Sequence, residues 1–263
     1  MSQGERSTVE QAWDEAALGY DAYFGPRFVP YLGVGVGALL ARSPGLPHGS
    51  ILVPCVGPGR ELGPLARAFP DRQIVASDLS SQMVELARAR NAGLANLSVE
   101  RADATALSAP SEGAAALLSV FGLQLLPNQP ATLASWVSLL VPGGLAVVVY
   151  WPRVVEASGP FQIMHRLLRD AGMRDDDWES ELVPSALAVG AQVLLDVRVA
   201  FEMQHEDAPS MWHALTQLGP LRGLALARGQ GLVAQLGAEF VAELPPGALT
   251  HTPEARLLVI ERR

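Results

Sequence analysis

The sequence predicts a doubly wound α/β domain carrying a helical cover. Two observations lead there. Between Ser50 and Trp151, short apolar runs alternate with helical stretches. Continuous apolar runs of strand length belong to a parallel sheet covered on both faces. A glycine turn, Val56-Gly57-Pro58-Gly59-Arg60, follows the first run and opens the first helix. In open sheets of this class, ligands bind at the carboxyl ends of strands.

The elements follow in order. Gln11–Tyr23 reads as a helix, with Trp13, Ala16, Ala17 and Tyr20 on one face at helical spacing. Gly25-Pro26 is expected to break it, and a second helix is expected over Phe28–Ala41. Strands are predicted at Ile51–Val56, Gln73–Ser77, Leu97–Arg101, Ala115–Phe121 and Leu145–Trp151. Helices are predicted at Glu61–Phe69, Ser81–Asn91 and Ala131–Leu140, with a short turn at Ala104–Leu107. Beyond Trp151 the rhythm changes. A helix is expected at Gly159–Ala171, a polar loop at Arg174–Glu179 and a one-sided strand at Leu194–Met203. Helices at Ser210–Leu218 and Leu224–Val241 and a strand at Ala255–Ile260 complete the reading. The expected organisation is an N-terminal helical lid over residues 1–47 and a main domain over 48–263. That domain carries a cover insertion at about 153–192 and further cover at about 207–245.

Composition narrows the function. The 263 residues are 49% hydrophobic and 17% charged, which supports a packed core. A net charge of −8 argues against a nucleic-acid binder, because phosphate neutralisation needs a basic surface. The single cysteine, Cys55, excludes a disulfide framework and a cysteine-built metal site. All nineteen basic residues are arginine, so Schiff-base and P-loop lysines are excluded. No apolar run reaches membrane-spanning length, and the start carries no signal peptide, so a cytoplasmic protein is expected. High Ala, Gly and Pro without lysine suggest a bacterial source. Asp175-Asp176-Asp177 resembles a metal cluster, but three adjacent residues cannot share a helical face, so no metal is expected.

Three polar features fall at successive strand ends. Gly57 and Gly59 allow a tight turn and close approach to a ligand, and the next helix start offers N–H groups. Asp78 ends the second strand, where an acid accepts hydrogen bonds from ribose hydroxyls. Asp103, followed by Ala104, ends the third, where a carboxylate can meet an adenine amino group. Each aspartate alone also reads as a helix N-cap.

In these motifs the sequence resembles the class I S-adenosylmethionine-dependent methyltransferases, and its flanks resemble the small-molecule, ubiquinone/menaquinone-type subgroup. The likeness lies in Val56-Gly57-Pro58-Gly59-Arg60-Glu61, Asp78-Leu79-Ser80-Ser81-Gln82-Met83, Arg101-Ala102-Asp103-Ala104 and Leu140-Val141-Pro142-Gly143-Gly144. Trp13-Asp14-Glu15-Ala16-Ala17 and Tyr20-Asp21 carry the subgroup likeness. It implies a Rossmann-like seven-stranded sheet of order 3-2-1-4-5-7-6, its last strand antiparallel, and S-adenosyl-L-methionine as cofactor. The implied cofactor-site residues are Cys55, Gly57, Gly59, Asp78, Leu79, Met83, Asp103, Ala104 and Val120.

Two positions depart from the family pattern: Val53 stands where an acid is usual, and Cys55 where a glycine is usual. The cofactor's ammonium is therefore expected to use carbonyls around Cys55–Gly57. A nicotinamide dinucleotide is the weaker alternative, because its fingerprint needs a glycine where Leu62 stands.

The implied reaction is methyl transfer to a small-molecule acceptor by in-line displacement, in secondary or quinone-like metabolism. The alternative is a protein of this fold that binds the cofactor or another small molecule without methylating, in a cyclisation, rearrangement or binding role. Hydroxyl and carbon acceptors call for a base. Of five histidines, His165 and His213 lie on cover helices and are the candidate bases. His48, His205 and His251 read as loop or surface residues. Tyr20, Phe121, Gln124, Trp151, Phe161 and Trp212 are the candidate acceptor contacts, and a core role is the ordinary alternative for each ring. Arg60 and Glu61 read as a solvated helix start. Beyond the acceptor, the expected partner is a second copy of the chain in a homodimer.

Overall fold

The computed structural model describes residues 3–173 and 177–263. They fall into two compact units. The sheet unit comprises Phe28–Pro152, Asp177–Val199 and Ala255–Arg263. The helical unit comprises Met1–Arg27, Arg153–Asp176 and Ala200–Glu254.

The sheet unit holds strands β1 (Ser50–Pro54), β2 (Ile74–Asp78), β3 (Leu97–Arg101), β4 (Ala114–Val120), β5 (Leu140–Tyr150), β6 (Ala191–Ala200) and β9 (Glu254–Arg262). Their order is β3-β2-β1-β4-β5-β9-β6. The first five are parallel neighbours, and β9 runs antiparallel to β5, with Val148 opposite Leu258. Counting only this sheet, β9 is its seventh strand, so the implied order holds. Each residue of β1 and β4 is buried, as apolar runs covered on both faces require.

Helices α2 (Leu62–Ala68), α3 (Ser81–Arg90), α4 (Gln129–Ser138) and α6 (Glu179–Ala188) belong to this unit. Ser80 caps α3 by accepting the Met83 N–H at 3.1 Å, and Asn128 caps α4 through the Ala131 N–H. The core on one face gathers Leu117, Leu133, Trp136, Val148, Leu182 and Leu258. The Trp136 indole donates to the Ala104 carbonyl at 2.8 Å, anchoring the turn after β3.

The helical unit holds α5 (Pro160–Asp170), α7 (Ala208–Leu215), α8 (Gly219–Arg228) and α9 (Gln230–Ala242). It also holds a two-stranded antiparallel sheet of β7 (Met203–His205) and β8 (Leu249–His251). Helix α1 (Gln3–Leu40) gives its first part to this unit and its second to the sheet unit.

Several expectations are corrected. Gly25-Pro26 does not break the first helix, and α1 runs through it. Phe24 is fully buried, so tertiary packing offsets the proline cost, and Arg27 Nη1 donates to the Tyr23 carbonyl within the same helix at 2.6 Å. Leu194–Met203 is not one strand: β6 ends at Ala200, and Met203 pairs instead with His251. The predicted Leu224–Val241 helix divides at Gly229, where φ is +92°. Strand β5 starts five residues before Leu145, taking in Pro142-Gly143-Gly144 as a register shift against β4.

Residues 177–199 group with the sheet unit, where Leu182 and Ala186 of α6 bury completely in the core that α4 also lines. Of the three consecutive aspartates, Asp175 and Asp176 lie outside the described residues, and Asp177 is exposed.

Candidate functional site

The site is built at the carboxyl ends of β1 to β4. After Pro54 the chain turns sharply. Cys55 has φ +55°, Gly57 +52° and Gly59 +66°. Left-handed geometry favours glycine, so Cys55 sits in a conformation its side chain resists. A Cβ on Gly59 would lie 2.9 Å from the Ala87 and Leu62 side chains, so no other residue fits there unaltered. Asn91 pins the turn by donating to the Gly59 carbonyl at 2.9 Å.

The acids expected at the strand ends are in place. Asp78 Oδ2 accepts the Gly57 N–H at 2.8 Å, and Oδ1 accepts the Ser80 N–H at 3.0 Å. Asp78 and the glycine turn are therefore tied together. Asp103 Oδ1 accepts from the Thr105 main-chain N–H at 2.9 Å and the Thr105 hydroxyl at 2.7 Å. Its N-cap role is thus real. Ala104, Met83 and Val120 are buried, and Leu79 is half-buried.

Electrostatics show how closely these groups converge. Burial pushes the Cys55 thiol far up, and the negative charges of Asp78 and Asp103 push it further. Glu61, read from sequence as solvated, is only 5% exposed. Burial raises its carboxyl to about 7; its own backbone N–H and Arg90 oppose the shift, and Asp78 adds to it. The strand ends thus gather the carboxyl groups of Asp78, Asp103 and Glu61. Such a set of acceptors suits a cationic ligand with ribose and amino groups. It suits a pyrophosphate poorly.

Phe121, at the end of β4, has φ +60° and stacks on Trp151 with ring centroids 4.2 Å apart. Phe28 and Tyr31 pack edge-on against this pair. Gln124 Nε2 donates to the Phe121 carbonyl at 2.7 Å, while its Oε1 is buried without a partner. Gly122 is required beside this aromatic group: a Cβ there would fall 2.4 Å from Cys55 Cβ.

The other candidates lie in the helical unit. Tyr20 packs edge-on to Trp13. Trp212 covers Gly237 and tilts against Phe240, its neighbour at 5.1 Å. His213 is exposed on α7, and His165 is half-buried on α5. Phe161 packs edge-on against His251 at 4.9 Å.

His205 and His251, read from sequence as surface and turn residues, are buried at 3% and 8% exposure. They lie in one hydrogen-bonded chain with Tyr23 and Glu156. No spacing signal could find it, since its members come from four distant segments. Among the described residues, no group of three His, Cys, Asp or Glu could hold a metal ion, and no helix is long and apolar enough to cross a membrane.

Comparison with known proteins gives three findings. Residues 51–144 match the methyltransferase domain family. The chain is 36% identical over 110 residues to a trans-aconitate 2-methyltransferase of Sinorhizobium fredii, covering 42% of this chain and 41% of that protein. It is 33% identical over 151 residues to the Methylobacterium radiotolerans protein of that name, covering 57% and 54%. The chain therefore spans about half the length of the curated relatives it matches.

Solved structures share the fold. A methyltransferase from Geobacter sulfurreducens, in complex with S-adenosyl-L-homocysteine, is 18% identical over 87% of this chain and 90% of that one, with a TM-score of 0.53. The [4+2]-cyclase SpnF is 19% identical over 86% and 80%, also at 0.53.

Proposed function

We propose that this chain, which resembles the class I S-adenosylmethionine-dependent methyltransferases in sequence and carries their fold, transfers a methyl group from S-adenosyl-L-methionine to a small-molecule acceptor. The observation that carries this reading is the convergence of Asp78, Asp103 and the left-handed Cys55–Gly59 turn at three adjacent strand ends. Asp78 would hold the ribose, Asp103 and Ala104 the adenine, and the Gly57–Gly59 turn the amino-acid end, with Met83 and Val120 as apolar walls. Bound there, the sulfonium supplies an electrophilic methyl carbon and a good leaving group. The chain's own task is to align the reactants and exclude water. Phe121, Gln124 and Trp151 are the acceptor contacts proposed in the sheet unit. Tyr20, Phe161 and Trp212, with His165 and His213 as bases, remain the proposed contributions of the helical unit.

Asp78→Ala tests the cofactor assignment. Each charge-assisted bond lost is worth about 1.5–3 kcal/mol before water replaces it, so affinity should fall at least about tenfold. Unchanged affinity by calorimetry would sink the assignment.

A second reading keeps the cofactor but not the methylation. Val53 in place of the usual acid supports it, and the fold shared with a [4+2]-cyclase gives it a precedent. Labelled cofactor separates the two, because only a methyltransferase moves label to product. The acidic, lysine-free composition supports a bacterial cytoplasmic setting and a small molecule rather than nucleic acid as partner. A homodimer is tested by light scattering.

A further inference from the structure

The sheet ends on one side in β6. Among the described residues, β6 pairs with β9 on its inner side and with no further strand on its outer side. It is 10 residues long and carries neither proline nor glycine. Sheets usually blunt an open edge by keeping its strand short, interrupting it with proline or covering it. Here Leu194 is 41% and Val197 39% exposed, and Asp196 and Arg198 are exposed with them. Leu187 and Val189, also exposed, carry the apolar surface into the residues just before the strand.

The residue order along this edge is complementary to itself. Two copies related by a two-fold axis normal to the sheet pair antiparallel, and residues opposite each other lie on the same face. A residue therefore opposes either itself or one an even number of positions away. Centred on Val197, the pairing sets Val197 against the partner's Val197, Leu195 against the partner's Val199, and Asp196 against the partner's Arg198. Apolar side chains meet apolar ones, and each charge meets its opposite. Moving the centre by one residue destroys this match. Centred on Asp196, two carboxylates face each other; centred on Arg198, two guanidinium groups do. Charge thus selects one register. Asp196 is already held in place for it. Arg256 Nε donates to its Oδ1 at 2.6 Å and Nη2 to its Oδ2 at 2.5 Å, and Nη1 donates to Glu179 at 2.7 Å. Each carboxylate oxygen can accept a second hydrogen bond, and the Asp196 side chain is 28% exposed.

We propose that the outer edge of β6 docks a second copy of this chain, antiparallel about Val197, through main-chain hydrogen bonds and two symmetry-related Asp196–Arg198 pairs. The side chains that set the register, Leu195 to Val199, all lie in the sheet unit, and the proposal does not depend on the methyl-transfer reading. The interface is isologous, so it closes at two copies and does not propagate into a fibre. One strand edge is a small contact, so the dimer forms and dissociates with concentration. Salt weakens it, because its charge pairs lie near solvent.

The test uses the full chain in sedimentation velocity over a dilution series from about 1 to 500 μM, where a small interface is read. The parent should pass reversibly from monomer to dimer and no further. Arg198→Asp sets two carboxylates against each other on both sides of the axis. It should raise the dimer dissociation constant at least about tenfold, with circular dichroism showing the fold kept. A second measurement reads the register alone. Residues directly opposite in an antiparallel pair lie about 4.5–5.5 Å apart at Cα, within disulfide reach. Val197→Cys should therefore give a disulfide-linked dimer under mild oxidation. Leu195→Cys, opposite the partner's Val199, should link far less, and the parent controls for the native Cys55. A parent that stays monomeric throughout, an Arg198→Asp chain that dimerises like the parent, or Leu195→Cys linking as well as Val197→Cys overturns the proposal. If Arg198→Asp does not fold, the two cysteine variants decide it.

Discussion

Glu61→Gln isolates the buried acid of the candidate site. Glu61 is the N-cap residue of α2, its carbonyl accepting the Leu65 N–H at 3.0 Å, and it is 5% exposed. Its carboxyl stands at about 7 in the folded chain against 4.5 when solvated. The folded state therefore binds more protons than the unfolded state between these values. Stability contributed by this group is fully present below pH 4.5 and is lost as pH rises to 7. At about 1.4 kcal/mol per pH unit, the whole loss is about 3 kcal/mol, of which about 2.5 falls between pH 5 and pH 8.5. Glutamine has the same shape and no such titration. Urea unfolding of both proteins at both pH values should show the variant gaining about 2–3 kcal/mol on the parent at pH 8.5 relative to pH 5. Asp78→Asn, which removes a charge that raises the Glu61 carboxyl, should shrink that gain. A difference between the two proteins that does not change with pH would refute the reasoning.

Three further outcomes are expected. A cation bound beside Asp78 should draw the proton from Glu61, so cofactor affinity should rise from pH 6 to 8, and calorimetry in two buffers should register proton release. Gly122→Ala should destabilise by about 1–3 kcal/mol through its collision with Cys55 Cβ, and adding Cys55→Gly should restore much of it, because that change also relieves the left-handed backbone. Val53 is 1% exposed in a strand paired on both sides, so Val53→Asp should cost about 3 kcal/mol or more in urea unfolding and not tighten the cofactor.

Much of the sheet unit was legible because its signals are local. Apolar runs marked β1 to β5 within a few residues, and Gly57, Gly59, Asp78 and Asp103 stand at strand ends, as their order in the chain implied. What escaped was tertiary. Pro26 stays inside α1 because Phe24 is buried beside it, a fact no dipeptide rule contains. Glu61 looks like any acid at a helix start until the fold closes over it. His205 and His251 lie 46 residues apart, and Glu156 is 95 residues from His251, so their contact leaves no periodic trace.

The position of β9 bears on how the chain reaches this state. It lies between β5 and β6, and Val148 meets Leu258 about 110 residues further along. Until that strand arrives, β5 and β6 each present an unpaired edge in an emerging chain. Pairings so distant close slowly. A half-finished sheet with apolar edges is prone to pair with another copy of itself. During synthesis the vulnerable interval runs from the end of β6 to the insertion of β9, and a chaperone that shields strand edges would act on this protein there.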